Sequence, residues 1–297
     1  VIDYHESTRV ADCSAVWPHE GEVWGLWCSP SLSAEATLFA SYTPAEDHCS
    51  IYRVRPSANG AELNDFGLLT SLPVGTRQVV WDREGLQVEV RASSARDVAV
   101  YRLETTSTST SQPVVRYALP TSASTVIQSS ADPHRAHITG VATENNLFFC
   151  DTRAKKIING NISIDTVVGG SLRGLDFSCA TPDRILTACS DGSVLFWDGR
   201  QLSAPVSASA QTSLHAHQHH CLGASFHPYH DQLVLSWGSD HTAKVFDLQQ
   251  ASSATASPVT STTVPKVRHL WNATPEKSLT DFGESVYSAT WSNSGTW

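Results

Sequence analysis

Short apolar runs, separated by polar turns, recur along the whole chain. Several of them end in an aromatic or sulfur-bearing residue followed by aspartate, as at Trp197-Asp198, Phe246-Asp247 and Cys150-Asp151. Others end in the same way without the aspartate, as at Tyr52-Arg53 and Tyr101-Arg102. Runs of this length, rich in β-branched and aromatic residues, favour β-strands over helices. The pattern therefore predicts an all-β protein.

These strand ends are evenly spaced. The second residue of each pair lies at position 3, 53, 102, 151, 198 or 247, so that the interval is 47 to 50 residues. A second marker confirms the period, because Trp81, Phe177 and Phe226 each end an apolar run 21 residues before the end of a later strand. Repetition at about this period is typical of propeller blades, each of which is a four-stranded antiparallel sheet.

The number of repeats sets the expected architecture. Six repeats end at the positions above, and Ser285 to Trp291 opens another. We therefore predict a single seven-bladed WD40 β-propeller domain over residues 1–297, with incomplete first and last blades. The chain contains no Met, even at position 1, and we expect it to be truncated at both ends. Segments 105–112 and 249–283, rich in Ser and Thr, are predicted to be low-complexity inter-blade loops.

The charge balance restricts the class of partner. The chain has 20 basic and 29 acidic residues, and its formal net charge is −9. A nucleic-acid surface needs clustered Lys and Arg, and no apolar run approaches the ~20 residues of a membrane span. The first residues, Val1 to Glu6, have neither the charged n-region nor the apolar h-region of a signal peptide. None of the seven cysteines forms a Cys-x-x-Cys pair, and we expect reduced thiols in the cytoplasm. We expect a monomeric propeller that binds proteins, binds no nucleic acid and does not insert into membranes.

One repeat carries a His, a Ser and an Asp in the order of a WD-blade hydrogen-bond network. His217 precedes the first strand, Ser236 lies in the second, and Asp240 lies in the tight turn that follows. Asp191 and Trp197 occupy the turn and the strand end one repeat earlier. The same residue types build hydrolase sites, but no Gly-x-Ser-x-Gly motif accompanies them. Buried polar groups need partners in any fold, so we expect a structural network, no catalytic residue and no cofactor.

A His-rich segment surrounds the first member of this network. His215-Ala216-His217-Gln218-His219-His220-Cys221 contains the ligand types that zinc prefers. No Cys-x-x-Cys or His-Glu-x-x-His pattern accompanies it. The favoured interpretation is a His-rich inter-blade loop with incidental metal affinity at most, and a zinc site is the alternative.

Trp197-Asp198-Gly199-Arg200 resembles the box by which some WD proteins dock onto the adaptor of cullin-4 ubiquitin ligases. Trp197, Asp198 and Arg200 would be its contacts. Asp151-Thr152-Arg153 is a weaker copy, with Cys150 in place of the Trp. The alternative interpretation is that Arg200 caps its own Asp or faces solvent.

A set of residues lies four positions before the first-strand marker in several repeats. Its members are Trp24, Arg77, Arg173, Leu222 and Tyr287. We expect them to lie at the rim where the innermost strands begin. Trp, Tyr and Arg are enriched among residues that dominate interface energies, so Trp24, Arg77, Arg173 and Tyr287 are the candidate protein-binding residues. Ordinary packing between blades is the alternative for Trp24 and Tyr287.

Several segments resemble one family of WD-repeat proteins. They are Gly21-Glu22-Val23-Trp24 with Cys28-Ser29-Pro30, His230-Asp231-Gln232-Leu233-Val234-Leu235-Ser236 with Gly238-Ser239-Asp240, Glu284-Ser285-Val286-Tyr287 with Trp291-Ser292, Leu172 to Phe177, and Trp197 to Arg200. These segments resemble the EARP-interacting protein family, WD-repeat partners of the endosome-associated recycling tethering complex. The resemblance covers most of the chain and weakens over residues 55–75 and 105–135.

The resemblance implies a non-enzymatic adaptor that is cytoplasmic or peripheral at endosomes or the trans-Golgi. Such an adaptor would bind a subunit of the tethering complex and act in endosomal recycling and retrograde transport. Two other functions stay open at this stage. One is a substrate receptor of a cullin-4 ubiquitin ligase, and the other is a WD protein similar to the peroxisomal receptor for N-terminal targeting signals.

Overall fold

The computed structural model describes the repeat regions of the chain. The described residues are 2–5, 8, 10–13, 16–19, 21–29, 37–55, 65–81, 88–103, 112–120, 123–163, 170–200, 212–248, 268–270, 275, 277–280 and 282–291. Their secondary structure is almost entirely strand, and none of these residues forms a helix long and apolar enough to cross a membrane. Contacts divide the chain into two compact units, Val1–Arg116 and Tyr117–Trp297. A single propeller domain over residues 1–297 stays a prediction.

The first unit contains a strand pair and two sheets of four strands. The pair is β1 (Ile2–His5) with β2 (Val10–Cys13). The next sheet follows chain order through β3 (Gly25–Cys28), β4 (Thr37–Thr43), β5 (His48–Arg55) and β6 (Asp65–Ser71). The last one does the same through β7 (Gln78–Trp81), β8 (Val88–Ser93), β9 (Asp97–Leu103) and β10 (Val115–Ala118), which lies at the boundary of the two units.

The second unit contains three larger sheets. One runs through β11 (Val126–Ala131), β12 (Ile138–Thr143), β13 (Asn146–Asp151) and β14 (Lys156–Ser163). The next comprises β15 (Leu172–Phe177), β16 (Arg184–Cys189), β17 (Ser193–Asp198), β18 (Thr212–His215) and a fifth strand, β22 (Arg268–Leu270). The last comprises β19 (Cys221–Phe226), β20 (Leu233–Gly238), β21 (Ala243–Asp247) and β23 (Lys277–Leu279).

Both sequence markers fall at equivalent places in these sheets. Trp81, Phe177 and Phe226 are the last residues of β7, β15 and β19, each the first strand of its sheet. The closing positions 53, 102, 151, 198 and 247 all lie in third strands, namely β5, β9, β13, β17 and β21. One repeat of the sequence is therefore one sheet with the strand number of a propeller blade.

The number of sheets differs from the number of predicted blades. The described residues form four sheets of four strands, one sheet of five strands and one of two strands. They therefore account for fewer than seven complete blades. The run Ser285 to Trp291, predicted to open a blade, has no strand assigned to it. The run nevertheless lies against the β19–β21 sheet. The Val286 N–H donates to the Gly238 carbonyl (3.2 Å), the Tyr287 carbonyl accepts from the Trp237 indole (3.1 Å), and the Trp291 indole donates to the Ser225 carbonyl (3.4 Å).

Segment 249–283 was predicted to be a loop, and this is wrong for two short stretches. β22 pairs in parallel with β18, and β23 pairs antiparallel with β21. Both occupy the outer edge of a sheet, where unpaired backbone groups accept a strand of almost any sequence. Low-complexity composition therefore did not exclude pairing. Of segment 105–112, all but Gln112 lies outside the described residues.

The second unit is held together by a sheet that buries both of its faces. Along β17, Leu195 and Trp197 pack in a cluster with β11–β14 side chains such as Ile138 and Phe149. The intervening Val194 and Phe196 pack instead against the β19–β21 sheet. Alternate residues of a strand point to opposite faces, so a strand with neighbours on both sides must be continuously apolar. This explains why the pattern here shows no alternation with polar residues.

Neighbouring sheets are also joined by hydrogen bonds along their first strands. The indole of Trp81, at the end of β7, donates to the carbonyl of Trp27 in β3 (3.0 Å). In the second unit, the Asp176 carboxylate in β15 accepts from the backbone N–H of Phe226 in β19 (3.0 Å). Because a marker residue takes part in both bonds, the positions that define the repeat also set the spacing between sheets.

A buried polar network stabilises the β19–β21 sheet. His217 lies between β18 and β19, and its Nδ1–H donates to Oδ1 of Asp240 (2.8 Å), while its Nε2 accepts from the Ser236 hydroxyl (2.9 Å). Asp240 also accepts from Thr242 Oγ1 (2.6 Å) and lies 3.3 Å from Lys244 Nζ. Ser236 and His217 are fully buried, so each depends on the others for its hydrogen bonds.

The preceding sheet carries a different part of the same network. The Trp197 indole donates to Thr187 Oγ1 (3.0 Å), and Asp191 accepts from the backbone N–H of Ser193 (2.9 Å). Position 168, equivalent to His217, is Val. The turn itself is kept, with a positive φ at both Gly192 (85°) and the equivalent His241 (60°). A Cβ at Gly192 would meet the His217 carbonyl oxygen at 2.1 Å, so this turn requires glycine.

We expect Asp240→Ala to lower the free energy of unfolding by about 1–3 kcal/mol more than Asp191→Ala, because only Asp240 satisfies a buried His. Both substitutions remove a turn carboxylate from the same position of the repeat, which makes Asp191→Ala a matched control. Urea unfolding followed by tryptophan fluorescence measures the difference. Equal destabilisation by the two substitutions would show that the His217 bond contributes nothing beyond the turn.

The network also predicts how stability depends on pH. Burial lowers the pKa of His217, and this outweighs the Asp240 carboxylate that faces it, while Lys244 and His215 lower the pKa further. A lowered folded-state pKa means that the unfolded chain takes up the proton first, so stability is lost as pH falls below about 6.5. Burial raises the pKa of Asp240, but hydrogen bonds from Thr242 and His217 lower it overall, so this group causes a further loss below about pH 4.

We therefore expect the wild-type free energy of unfolding to decrease from pH 7.5 to pH 5 more steeply than that of His217→Gln, by up to about 1.4 kcal/mol per pH unit. The comparison isolates His217 from His227, whose pKa is also lowered by burial and by His230. Urea titrations at half-unit pH intervals provide the test. Parallel curves for the two proteins would contradict a neutral, buried His217.

Candidate protein-binding site

An exposed tryptophan lies at the start of the β3–β6 sheet. The Trp24 backbone N–H donates to the Tyr42 carbonyl of β4 (3.0 Å), which fixes the residue immediately before β3. Its side chain is 69% exposed. Trp is buried on average in soluble proteins, so an indole held in this position by its own backbone bond is available for contact with another molecule.

A carboxylate connects this strand pair to the next sheet. Asp47, in the β4–β5 turn, accepts from the Tyr42 hydroxyl (3.0 Å) and from Nε of Arg77 (3.2 Å). Its backbone carbonyl accepts from the Gly75 N–H (2.6 Å), and its φ is positive, at 49°. Burial and the bond to Asp47 raise the pKa of Tyr42. The hydroxyl thus stays protonated and remains a donor at neutral pH.

A second exposed apolar side chain lies next to this carboxylate. Val74 is 79% exposed, and its turn is anchored by the Gly75 bond and by the Cys49 thiol, which donates to the Thr76 carbonyl (3.3 Å). We call the group of Trp24, Tyr42, Asp47, Val74 and Arg77 the Trp24 surface. It combines an aromatic ring, an apolar group and a guanidinium, and hydrogen bonds hold each supporting turn. Groups ordered in advance lose less entropy on binding.

Hydrogen bonds thus connect two of the four candidate residues, Trp24 and Arg77, through Tyr42 and Asp47. Sequence reasoning missed Tyr42, Asp47 and Val74, which lie in a strand and in turns with no counterpart in the marker pattern. The only signal for them was the turn chemistry of Glu46-Asp47 and Pro73-Val74-Gly75, which predicts two tight turns but does not indicate that they meet.

The other two candidates lie in the second unit. Arg173 is the second residue of β15 and is exposed, and Tyr287 is 79% exposed. The backbone of Tyr287 is fixed through its carbonyl, which accepts from the Trp237 indole (3.1 Å). Leu222, the fifth residue at this position of the repeat, is half-buried. Thus the polar and aromatic members of the set are the accessible ones.

The motif that resembles a ligase-adaptor box is internally paired. Both Arg200 Nε (3.0 Å) and Nη2 (2.8 Å) donate to the Asp198 carboxylate, as does the Arg200 backbone N–H (3.0 Å). Trp197 is buried and cannot contact a partner directly. The weaker copy differs, because Asp151 accepts from backbone N–H groups while the Arg153 side chain lies against His137. A docking role for the box remains a prediction.

The His-rich segment has structural partners. His217 is committed to Asp240 and Ser236, and His220 Nδ1 contacts the Ser190 carbonyl. Across the described ranges, no group of three His, Cys, Asp or Glu side chains has the arrangement of a metal site. The Ser236 hydroxyl, which a hydrolase would use as nucleophile, is fully buried.

Comparisons with known proteins agree with this architecture. The family model described as the EIPR1 beta-propeller matches residues 1–246. The EARP-interacting protein 1 of Caenorhabditis elegans is 42% identical over 79 residues, which is 27% of this chain and 20% of that protein. The EARP and GARP complex-interacting proteins 1 of Rattus norvegicus and Homo sapiens are each 23% identical over 85% of this chain and 68% of their own length.

The match covers the strand pair and the repeats whose markers coincide with the sheets described above. The all-β fold predicted from the spacing of strand ends is confirmed at the level of a β-propeller. This chain belongs to the EIPR1 beta-propeller family.

Proposed function

We propose that this protein is a non-enzymatic WD-repeat adaptor that binds a subunit of an EARP- or GARP-type vesicle-tethering complex. It would act in endosomal recycling and retrograde transport, from the cytoplasm or from the surface of endosomes and the trans-Golgi. Two lines support the proposal. The chain belongs to the EIPR1 beta-propeller family, and relatives aligned over most of its length are named as EARP and GARP complex-interacting proteins.

The observation that carries the proposal is the Trp24 surface. Trp24 and Val74 are largely exposed, and the Arg77 guanidinium is held in place by the Asp47 carboxylate. Trp, Tyr and Arg account for most of the residues whose truncation weakens an interface by ~2 kcal/mol or more. An enzyme would instead need accessible polar groups converging in a pocket, whereas the Ser236, His217 and Asp240 network is buried and satisfied.

We also propose that the complete propeller has seven blades and that the chain acts as a monomer. Six strand ends at intervals of 47 to 50 residues support this number, together with the run at Ser285 to Trp291. The candidate binding residues Arg173 and Tyr287 of the second unit belong to the same proposal. They occupy the same place in the repeat as Trp24 and Arg77.

We expect the double substitution Trp24→Ala with Arg77→Ala to reduce capture of the tethering complex by at least roughly 30-fold, since the loss of one interface hot spot costs ~2 kcal/mol. The tagged chain would be expressed in its native cell, and tether subunits in the purified fraction would be quantified by mass spectrometry. The melting temperature should stay close to that of the wild type, because both side chains are exposed.

The matched control is Val16→Ala with Arg96→Ala, which removes one exposed apolar side chain and one exposed Arg from the same unit. We expect this control to capture the tether normally. Absence of tether subunits from the wild-type fraction would overturn the adaptor function itself. Normal capture by the Trp24→Ala, Arg77→Ala protein would leave the function in place but exclude this surface.

Arg173→Ala with Tyr287→Ala tests the second unit in the same assay. Loss of capture here, with a normal melting temperature, is expected if the partner spans several repeats. A normal yield from this variant would confine the contact to the first unit.

A further inference from the structure

A groove lies between the β11–β14 and β15–β18 sheets of the second unit. Its volume is about 370 Å³. The apolar part is lined by Ile138, Phe149, Ile158 and Ile185, and the polar edge by Arg135, Asp183, Gly199 and Arg200. Ile185 pairs with Phe177, the last residue of β15, whereas Arg173 is near the first. The groove therefore opens at the other end of this sheet from the candidate binding residue Arg173.

Two guanidinium groups at the edge are held in place by carboxylates. Arg135 Nε lies 2.7 Å from Asp132 and its Nη2 lies 2.8 Å from Asp183, so that it bridges the two sheets. Arg200 binds Asp198 through Nε and Nη2. Neither Nη1 atom has a hydrogen bond to any residue in the described part of the chain. Each guanidinium thus keeps an N–H pair that is fixed in direction and open to an acceptor.

The guanidinium groups are the more exposed members of this edge, although its two Arg and three Asp side chains sum to a formal charge of −1. The three carboxylates are turned inward, with exposed side-chain fractions of 1% for Asp132, 23% for Asp183 and 12% for Asp198. The two Arg side chains are 43% and 77% exposed. A ligand approaching the groove therefore meets guanidinium groups first and an apolar floor behind them.

We propose that this groove binds a short linear segment of a partner protein in which an apolar side chain is followed by an acidic one. The apolar side chain would occupy the part of the groove lined by Ile138, Phe149, Ile158 and Ile185. The volume of the groove falls in the range of small-ligand pockets. The carboxylate would accept hydrogen bonds from Nη1 of Arg135 and Arg200. Charge-assisted bonds of this kind are stronger than neutral ones, and the prepaired aspartates reduce the ordering needed on binding.

The groove suits this ligand better than a free anion or a purely apolar peptide. A free phosphate or carboxylate would contact the guanidinium groups but would leave the space beside the half-buried Ile158 unfilled. An apolar peptide would leave the guanidinium N–H groups facing it without acceptors, and unsatisfied groups of this kind weaken binding. In a segment with both features, the apolar side chain fills the groove and the carboxylate binds the guanidinium groups. Two adjacent residues are enough to supply both.

Four fluorescein-labelled octapeptides test the proposal directly. They consist of Gly and Ser except for the central pair, which is Phe-Glu, Phe-Gln, Ser-Glu or Ser-Gln. Fluorescence anisotropy with the full chain at low salt should show binding of the Phe-Glu peptide. Each single change should weaken it roughly tenfold, because an apolar anchor or a charge-assisted bond each contributes about that factor. No binding of the Phe-Glu peptide, or equal binding of the Phe-Gln peptide, would overturn the proposal.

Two variants and one control show whether the peptide binds in this groove. Arg200→Ala should weaken the Phe-Glu peptide roughly tenfold while leaving the Phe-Gln peptide unchanged. Ile158→Trp, at a half-buried lining position, should fill the groove and abolish binding of both Phe peptides. Arg96→Ala removes an exposed Arg from the first unit and should change nothing. Normal Phe-Glu binding by both groove variants would exclude this site. No tether subunit takes part, so the result is independent of the proposed adaptor function.

Discussion

The fold depends on the requirement that each sheet of the second unit bury its faces against its neighbours. Each antiparallel sheet has two sides, and in the β15–β18 sheet both sides are apolar: Leu195 and Trp197 face one neighbour, while Val194 and Phe196 face the other. Fully burying one such side chain contributes about 1.5–3 kcal/mol relative to leaving it in water. A sheet of this kind is unstable when isolated, so its stability depends on the sheets that pack against its two faces.

This requirement explains which parts of the fold could be predicted from the sequence. Strand-end aromatic residues such as Phe177 and Phe226 recur because a large side chain must fill the same space between sheets in each repeat, and the pattern is therefore visible at a fixed spacing. The strand β22 gave no such signal, and its place is shown only by its backbone pairing with β18. The run at Ser285 to Trp291 shows the opposite case, because its apolar pattern predicts a strand, whereas the structure assigns none and joins the run to the neighbouring sheet through bonds to Gly238, Trp237 and Ser225.

For a related reason, only part of the candidate site could be predicted from the sequence. Trp24 and Arg77 could be selected because they hold a constant place in the repeat. Asp47, which connects Arg77 to Tyr42, lies in a turn whose position relative to the next sheet depends on the path of the chain through space. Contacts between a turn and a later repeat do not recur at a fixed spacing along the chain, so the repeat pattern does not reveal them. The sequence therefore indicated Trp24 and Arg77 but not Asp47, the carboxylate that orients Arg77.

The polar interior shows that equivalent positions can be satisfied in more than one way. The β19–β21 sheet uses His217, Ser236 and Asp240 and has Phe246 at its strand end, whereas the preceding sheet has the Trp197–Thr187 bond. The sequence position one repeat before His217 is Val. In each case the named residues of the network are paired with one another. Residues in such a network can thus change together between repeats without loss of the turn that joins the second and third strands.

The parallel pairing of β22 with β18 has a consequence for the behaviour of the protein at high concentration. Without it, β18 would be the outermost strand of its sheet, with a row of open N–H and C=O groups able to pair with another molecule. Arg268–Leu270 covers the side of Thr212–Leu214 that would otherwise be a template for intermolecular β-pairing. A stretch of chain distant in sequence therefore occupies this edge, and the backbone groups of Thr212–Leu214 that it pairs with are no longer open to another molecule.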